Sequence, residues 1–127
     1  IDTGVTIAVC STSNERAVQS IVDVLLGNEI SNHISVFAGD VVKAKKPDPA
    51  IYLMAVDQLK LDPSRCIVVE DSHVGLTAAH AAGLRCVVTK SSYTEHEDFK
   101  FATKVVSDLG DTGSSVLSIS DIGSLLM

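Results

Sequence analysis

Short apolar runs alternate with amphipathic stretches along this chain, and this alternation constrains the fold more than any other feature of the sequence. The apolar runs predict β-strands at 5–10, 34–38, 66–69 and 84–89, with a shorter strand at 104–106. Apolar residues at helical spacing predict helices at 14–26, 49–59 and 74–82. Strands that alternate with helices across short connections form right-handed crossovers. The expected fold class is therefore α/β, a Rossmann-like doubly wound parallel sheet with helices on both faces.

Capping residues set the expected ends of the helices. Ser13 is the predicted N-cap of the first helix and Gly27 its stop. In the second helix, Asp48 is the expected capping carboxylate, with Pro49 at the first helical position. Gly83 is expected to end the third helix.

The chain has 127 residues, which is the length of one domain. We expect residues 1–110 to form an α/β core. Residues 111–127 are rich in Ser and Gly with weak periodicity, and they predict a short terminal helix or a frayed tail.

Composition excludes several classes of partner. Ten Lys and Arg against sixteen Asp and Glu give a formal charge of -6, which disfavours binding to nucleic acid or to an anionic membrane. No apolar run approaches the roughly 20 residues that cross a bilayer, and no secretory signal is present, so we expect a soluble protein that is not secreted. Cys10, Cys66 and Cys86 lack metal-ligand spacing and are interpreted as small, reduced hydrophobic residues.

Polar residues follow the predicted strands. Ser11-Thr12-Ser13 comes after the first, a loop ending in Lys46-Pro47 after the second, and Glu70-Asp71-Ser72 after the third. Because parallel strands end at one edge of a sheet, these segments should meet there. Hydroxyls and helix N-terminal amides, an ammonium group and paired carboxylates are the components of a site for phosphate and Mg²⁺.

Each of these features also has a purely structural interpretation. In that interpretation Ser11 and Thr12 are a capping cluster for a helix, and Lys46 is a solvated loop residue. Asp71 or Ser72 then simply caps the helix that follows. The histidines have no second metal ligand at helical spacing and are interpreted as surface or packing residues; they are His33, His73, His80 and His96.

Taken together, the segments resemble motifs II, III and IV of the haloacid dehalogenase (HAD) superfamily. The resemblance lies in the strings K-P-D-P-x-I-Y and V-E-D-S-x-x-G-x-x-A-A-x-A-A-G and in the order of the motifs. Within the superfamily, the chain is most similar to the CbbY-like sugar-phosphate phosphatases and β-phosphoglucomutases, and resembles a plant chloroplast member.

The resemblance implies a function and a role for each motif residue. It implies a Mg²⁺-dependent hydrolase of a small phosphorylated sugar that acts through a phospho-aspartyl intermediate. Ser11 and the Thr12 backbone would bind the phosphoryl group, Lys46 would bridge phosphate and nucleophile, and Glu70 and Asp71 would hold Mg²⁺. The location implied is the chloroplast, with the cytoplasm as the alternative.

The family's first motif, D-x-D-x-T, is absent from this sequence. None of the Asp residues has another Asp two positions later. Since the chain begins with Ile1 rather than Met, the resemblance places the nucleophilic aspartate and the cap domain upstream. The strand that bears this motif would lie between the strands ending at Cys10 and Val69. Without it, we expect open sheet edges that favour self-association, and a chain that is inactive alone.

Other functions remain open on the sequence. A receiver-like signalling domain combines similar residues, but there the acidic pair comes first and the Lys last, whereas this chain runs Ser, Lys, acidic pair. A non-catalytic remnant of a phosphatase that is retained for binding is the more serious alternative. A phosphoglucomutase-like phosphoryl transferase is the third.

Overall fold

The computed structural model describes residues 4–90 and 96–106. Strands and helices alternate in the expected order, and two short 3₁₀ turns lie at Gly39–Val41 and Pro63–Arg65. The elements are β1 Ile7–Ser11, α1 Glu15–Ser31, β2 Ile34–Ala38, α2 Ala50–Gln58, β3 Ile67–Glu70, α3 His73–Ala81, β4 Arg85–Thr89 and β5 Lys104–Val106. The predicted tail, residues 111–127, lies outside the described residues.

The strands form two parallel sheets rather than one. β1 pairs with β2, in register from Ile7 opposite Ile34 to Ser11 opposite Ala38. The second sheet has the order β3-β4-β5, and both of its pairings are parallel. Within residues 4–90 and 96–106, no pairing joins β1 to β3. The predicted α/β class is confirmed, and β1 and β3 each have an edge without a partner in this part of the chain.

Alternate residues of β2 face two different cores. Phe37 packs into the larger core, together with apolar side chains of α2, α3, β3 and β4. Its neighbour Ala38 packs on the other face against Val18 and Val22 of α1. Because successive side chains of a strand point to opposite faces, helices cover both faces of the molecule, as in a doubly wound fold.

The first helix differs from its expected limits at both ends. Asn14, not Ser13, is the N-cap, since its Oδ1 accepts a hydrogen bond from the Ala17 amide at 3.2 Å. Gly27 adopts φ 78° and ψ 156°, which interrupts the helix, but helical structure resumes and continues to Ser31. A glycine at positive φ therefore marks a kink here and not the end of the helix.

The second and third helices begin close to the expected residues. Pro49 is the N-cap of α2 rather than its first residue, while Asp48 Oδ1 accepts a hydrogen bond from the Ala50 amide at 2.9 Å. α3 begins after Ser72 and is followed by Gly83, whose φ of 77° turns the chain into β4. None of the described helices is long and apolar enough to cross a membrane.

Candidate functional site

The carboxyl ends of β1 and β3 flank a polar cavity of about 440 Å³. Segments after both strands line it, and the lysine from the loop after β2 lies between them. The lining residues are Cys10, Ser11, Thr12, Ser13, Lys46, Glu70, Asp71, Ser72, Val74 and Gly75. The structure thus brings together all five residues that the sequence singled out, in a volume that suits a small ligand.

Lys46 joins the two sheets. Its Nζ donates to the carbonyl oxygen of Cys10 at 2.9 Å and to Glu70 Oε1 at 2.5 Å. The Lys46 side chain is only 12% exposed and that of Glu70 only 11%. Partial burial of both charges makes this ion pair far less screened than a surface pair. The solvated-loop interpretation of Lys46 is therefore wrong.

Glu70 ends β3 in a closely packed position. The Tyr52 hydroxyl of α2 also donates to Glu70 Oε1. On the other side, the carboxylate lies so close to Gly75 that a Cβ at this helical position would overlap Glu70 Oε2. A glycine in the first turn of α3 is therefore required for the carboxylate to lie where it does.

Ser11 and Thr12 lie at the rim, between the end of β1 and the start of α1. Ser11 Oγ accepts a hydrogen bond from the Ser13 amide at 3.1 Å, and Thr12 is exposed. Because Asn14 caps the helix, neither Ser11 nor Thr12 is its N-cap. The Ser11 hydroxyl still has a proton to donate, and the positive end of the α1 dipole lies behind the segment.

Asp71 and Ser72 separate into different roles. Ser72 Oγ accepts from the Gly75 amide at 3.1 Å and caps α3. Asp71 is exposed and lines the cavity. Since capping is done by the serine, the capping interpretation does not apply to Asp71.

Burial makes the nearby thiols and phenol hard to ionise. Desolvation raises the pKa of Cys10 to about 11 and that of Cys86 to about 12. The pKa of Tyr52 is raised too, first by burial and then by the Glu70 carboxylate. These groups are neutral at physiological pH, so Cys10 is a poor nucleophile although it lines the cavity.

Two histidines contact the segment before β5. His73 Nδ1 lies 2.6 Å from the carbonyl oxygen of Asp98, and the His73 amide donates to Glu97 Oε1 at 2.8 Å. The His80 ring stacks on Phe101 with the centroids 4.2 Å apart. Within the described ranges, no group of three or more His, Cys, Asp or Glu residues could hold a metal ion.

Sequence reasoning missed Tyr52, Gly75 and the Cys10 carbonyl as parts of the site. Tyr52 and Gly75 both occur in the motif strings, where they look like an ordinary core residue and a helix residue. A buried tyrosine needs a partner for its hydroxyl, which was the one available signal. A backbone carbonyl leaves no trace in the sequence.

Comparisons with known proteins identify the family of this chain. A model of the haloacid dehalogenase-like hydrolase family matches residues 2–83. The chain is 56% identical over 123 residues to a CBBY-like protein from Arabidopsis thaliana, covering 97% of this chain and 39% of the relative. It is 37% identical to CbbY from Rhodobacter sphaeroides, whose crystal structure in complex with phosphate superposes with a TM-score of 0.79.

A second crystal structure of that CbbY contains Xylulose-(1,5)bisphosphate and has a TM-score of 0.78 at 36% identity. This chain is covered to 86% and 88% by the two CbbY structures and spans 50% of each of them. It thus spans half or less of these relatives. With this family match, and with the motifs in order and the candidate residues together at the carboxyl ends of both sheets, the chain belongs to the haloacid dehalogenase-like hydrolases, in the CbbY-like subgroup.

Proposed function

We propose that this chain supplies the phosphate-holding part of a Mg²⁺-dependent phosphatase that acts on a small phosphorylated sugar. The observation that carries the proposal is the largely buried Lys46 ammonium, held between the ends of β1 and β3 beside the cavity. A fixed cation among helix N-terminal amides, hydroxyls and carboxylates is suited to a transferring phosphoryl group.

Lys46 contributes the positive charge. An ammonium group has three N–H donors, and two of them are directed to Cys10 and Glu70. The third is available to a phosphoryl oxygen in the cavity. Ser11 and the Thr12 backbone, in front of the α1 N-terminus, would donate to the other oxygens.

Glu70 and Asp71 would hold Mg²⁺. Adjacent carboxylates are the hard oxygen donors that this ion prefers, and the Asp71 carboxylate lies exposed at the cavity. These two carboxylates are only part of a ligand shell. We therefore expect this chain alone to bind Mg²⁺ with a millimolar Kd, which is a binding free energy of about 4 kcal/mol. When bound, the ion would offset the negative charge of the phosphoryl group.

The nucleophile has to come from outside these residues, since the sequence has no D-x-D pair. In the proposed reaction, an aspartate oxygen bonds to phosphorus while the phosphorus–oxygen bond to the sugar breaks and the sugar oxygen takes up a proton. Water then hydrolyses the acyl phosphate. Glu70 cannot replace that aspartate, because one of its oxygens accepts from Lys46 and Tyr52 and the other would be a ligand of Mg²⁺, which neutralises its charge.

The substrate class follows from the relatives. The CbbY with Xylulose-(1,5)bisphosphate suggests a ketose bisphosphate or a similar small sugar phosphate. The plant origin of the 56% identical relative supports the chloroplast location that the sequence resemblance implies. A fluorescent fusion of the full-length protein in leaf cells would test that location.

A chimera tests the proposed function. The part of the Arabidopsis CBBY-like protein that this chain does not match is joined to this chain, and release of phosphate from sugar phosphates is followed with and without Mg²⁺. We expect metal-dependent multiple turnover by the chimera and none by this chain alone. Asp71→Asn should abolish most of the metal-dependent turnover of the chimera. Asp57→Asn, an exposed control on α2, should leave it unchanged. An inactive, folded chimera would contradict the proposal.

A non-catalytic binding module is the second candidate, since these residues contain no D-x-D pair of their own. The genomic sequence upstream of the codon for Ile1 separates the two functions. A D-x-D-x-T after an apolar strand supports the enzyme. An in-frame start with no such motif before it supports the binding module.

A further inference from the structure

Tyr52 is a buried polar residue beside the site, and the proposed mechanism assigns it no role. It lies in the first turn of α2 and is only 6% exposed. Its ring packs in the larger core, and its hydroxyl, at the edge of that core, donates to Glu70 Oε1. A phenylalanine would fill the same space in the core, so packing alone does not explain the hydroxyl.

The same side chain also contacts Lys46. The ammonium nitrogen of Lys46 lies 4.8 Å from the centroid of the Tyr52 ring, within the range of a cation–π interaction. Tyr52 therefore touches both members of the ion pair, one through its ring face and the other through its hydroxyl. Within the described part of the chain, no other side chain hydrogen-bonds to Glu70 besides that of Lys46.

Fixing this pair matters because a lysine side chain is long and has many rotamers. If Glu70 rotated, the ammonium would follow it away from the cavity or lose its partner. The Tyr52 hydroxyl holds Glu70 Oε1 in one place, and the ring closes one side of the space around Lys46 Nζ. With two of its N–H groups fixed by hydrogen bonds to Cys10 and Glu70, the ammonium keeps its third N–H in one direction.

We propose that Tyr52 is a positioning residue, which holds Glu70 and through it keeps the Lys46 ammonium at the place where a phosphoryl group binds. This inference rests on the proposed function for its catalytic consequence. Its structural part, that Tyr52 fixes Lys46, does not depend on that function.

Tyr52→Phe in the chimera tests the proposal, because it keeps the ring and removes only the hydroxyl. We expect kcat to fall about 10-fold to 100-fold with little change in KM, since a small displacement of a catalytic group affects the transition state most. Ile51→Val is the matched control. Ile51 is the neighbouring buried residue of α2 and is 1% exposed, so its variant disturbs the same core without touching the pair.

A crystal structure of each variant gives the second readout. In Tyr52→Phe we expect Lys46 Nζ to leave its position between Glu70 and the Cys10 carbonyl, and in Ile51→Val we expect it to stay. An unchanged Lys46 together with an unchanged kcat would overturn the proposal, as would an equal loss of kcat in both variants. If the wild-type chimera is inactive, the proposed function and the catalytic consequence fail together, and the crystal structures alone decide whether Tyr52 fixes Lys46.

Discussion

The half of the molecule built on β3 and β4 buries its apolar residues far better than the half built on β1 and β2. In the first, α3 packs on β3 and β4 and α2 packs beside α3, around Ile51, Leu76 and Val88, which are each 1% exposed or less. Phe37 of β2 also packs into this core. In the second, the core between α1 and its sheet contains three buried residues, Val18, Val22 and Ala38. We call these the packed half and the open half.

The site draws on both halves in different ways. Glu70 and Tyr52 belong to the packed half, where burial fixes their side chains, and Lys46 precedes α2. The hydroxyls of Ser11 and Thr12 belong to the open half, and the bond from Lys46 to the Cys10 carbonyl connects the two. The difference teaches that the charged groups are held by a well-packed core, while the Ser11 hydroxyl is held, among the described residues, only by the Ser13 amide of its own segment.

Leu76→Ala should cause the largest loss of stability. Leu76 is 1% exposed in the packed half, and removing a buried leucine side chain costs about 3 kcal/mol through lost burial and the cavity left behind. Val22→Ala, in the open half, should cost about 1 kcal/mol because fewer neighbours surround it. Urea denaturation followed by circular dichroism measures both. Leu→Ala removes one carbon more than Val→Ala, so losses in a ratio of about 3 to 2 or smaller would show that the open half is packed as well as the packed half.

Gly75→Ala should lower the free energy of unfolding by about 2 kcal/mol, because the new methyl group overlaps the Glu70 carboxylate. The sign of this change in the free energy of unfolding is diagnostic. At an unobstructed helical position the same substitution stabilises a protein by about 0.5–1 kcal/mol. Urea denaturation gives the sign, and a gain in stability would mean that Glu70 does not lie against α3.

Alkaline pH should destabilise the packed half through Cys86. Burial raises the pKa of this thiol from 9.0 to about 12 in the folded protein. The unfolded chain therefore loses the proton first, so the stabilisation is complete below pH 9 and declines as the pH rises towards 12. The decline is about 1 kcal/mol per pH unit. Urea denaturation at about pH 8 and about pH 10 gives the loss in free energy of unfolding between the two pH values, and this loss should be smaller in Cys86→Ala than in the wild type. The same loss in both proteins would refute the role of Cys86.

Exposed apolar residues of α1 should affect association more than stability. Val24 is 81% exposed and Leu25 is 75% exposed, both on the open half. Replacing both with Glu should change the free energy of unfolding by less than about 0.5 kcal/mol, yet lower the apparent mass seen by light scattering. An unchanged mass above that of a monomer would indicate association through the edges of β1 and β3, which the sequence predicts, and a monomeric wild-type chain would contradict self-association.

Much of this architecture follows from the sequence because it depends on local patterns. The strand at Ile34–Ala38 and the short strand at Lys104–Val106 have the predicted limits. Two predictions for the first helix were wrong, Ser13 as its N-cap and Gly27 as its end, since Ser and Asn cap equally well and a glycine at positive φ suits a kink as well as an end. The task of Tyr52 could not be predicted, because it depends on how α2 packs over the end of β3.

The most direct test of the central claim compares two adjacent lysines in the chimera. Lys46 bonds to Cys10 and Glu70 at the cavity, whereas Lys45 turns away to pair with Asp40 at 3.2 Å. Lys46→Ala should lower kcat by about 10²–10³, the typical cost of removing one electrostatic group from a transition state. Lys45→Ala should leave kcat within about 2-fold, since exposed ion pairs contribute little. A folded Lys46→Ala chimera with nearly wild-type kcat would contradict the account.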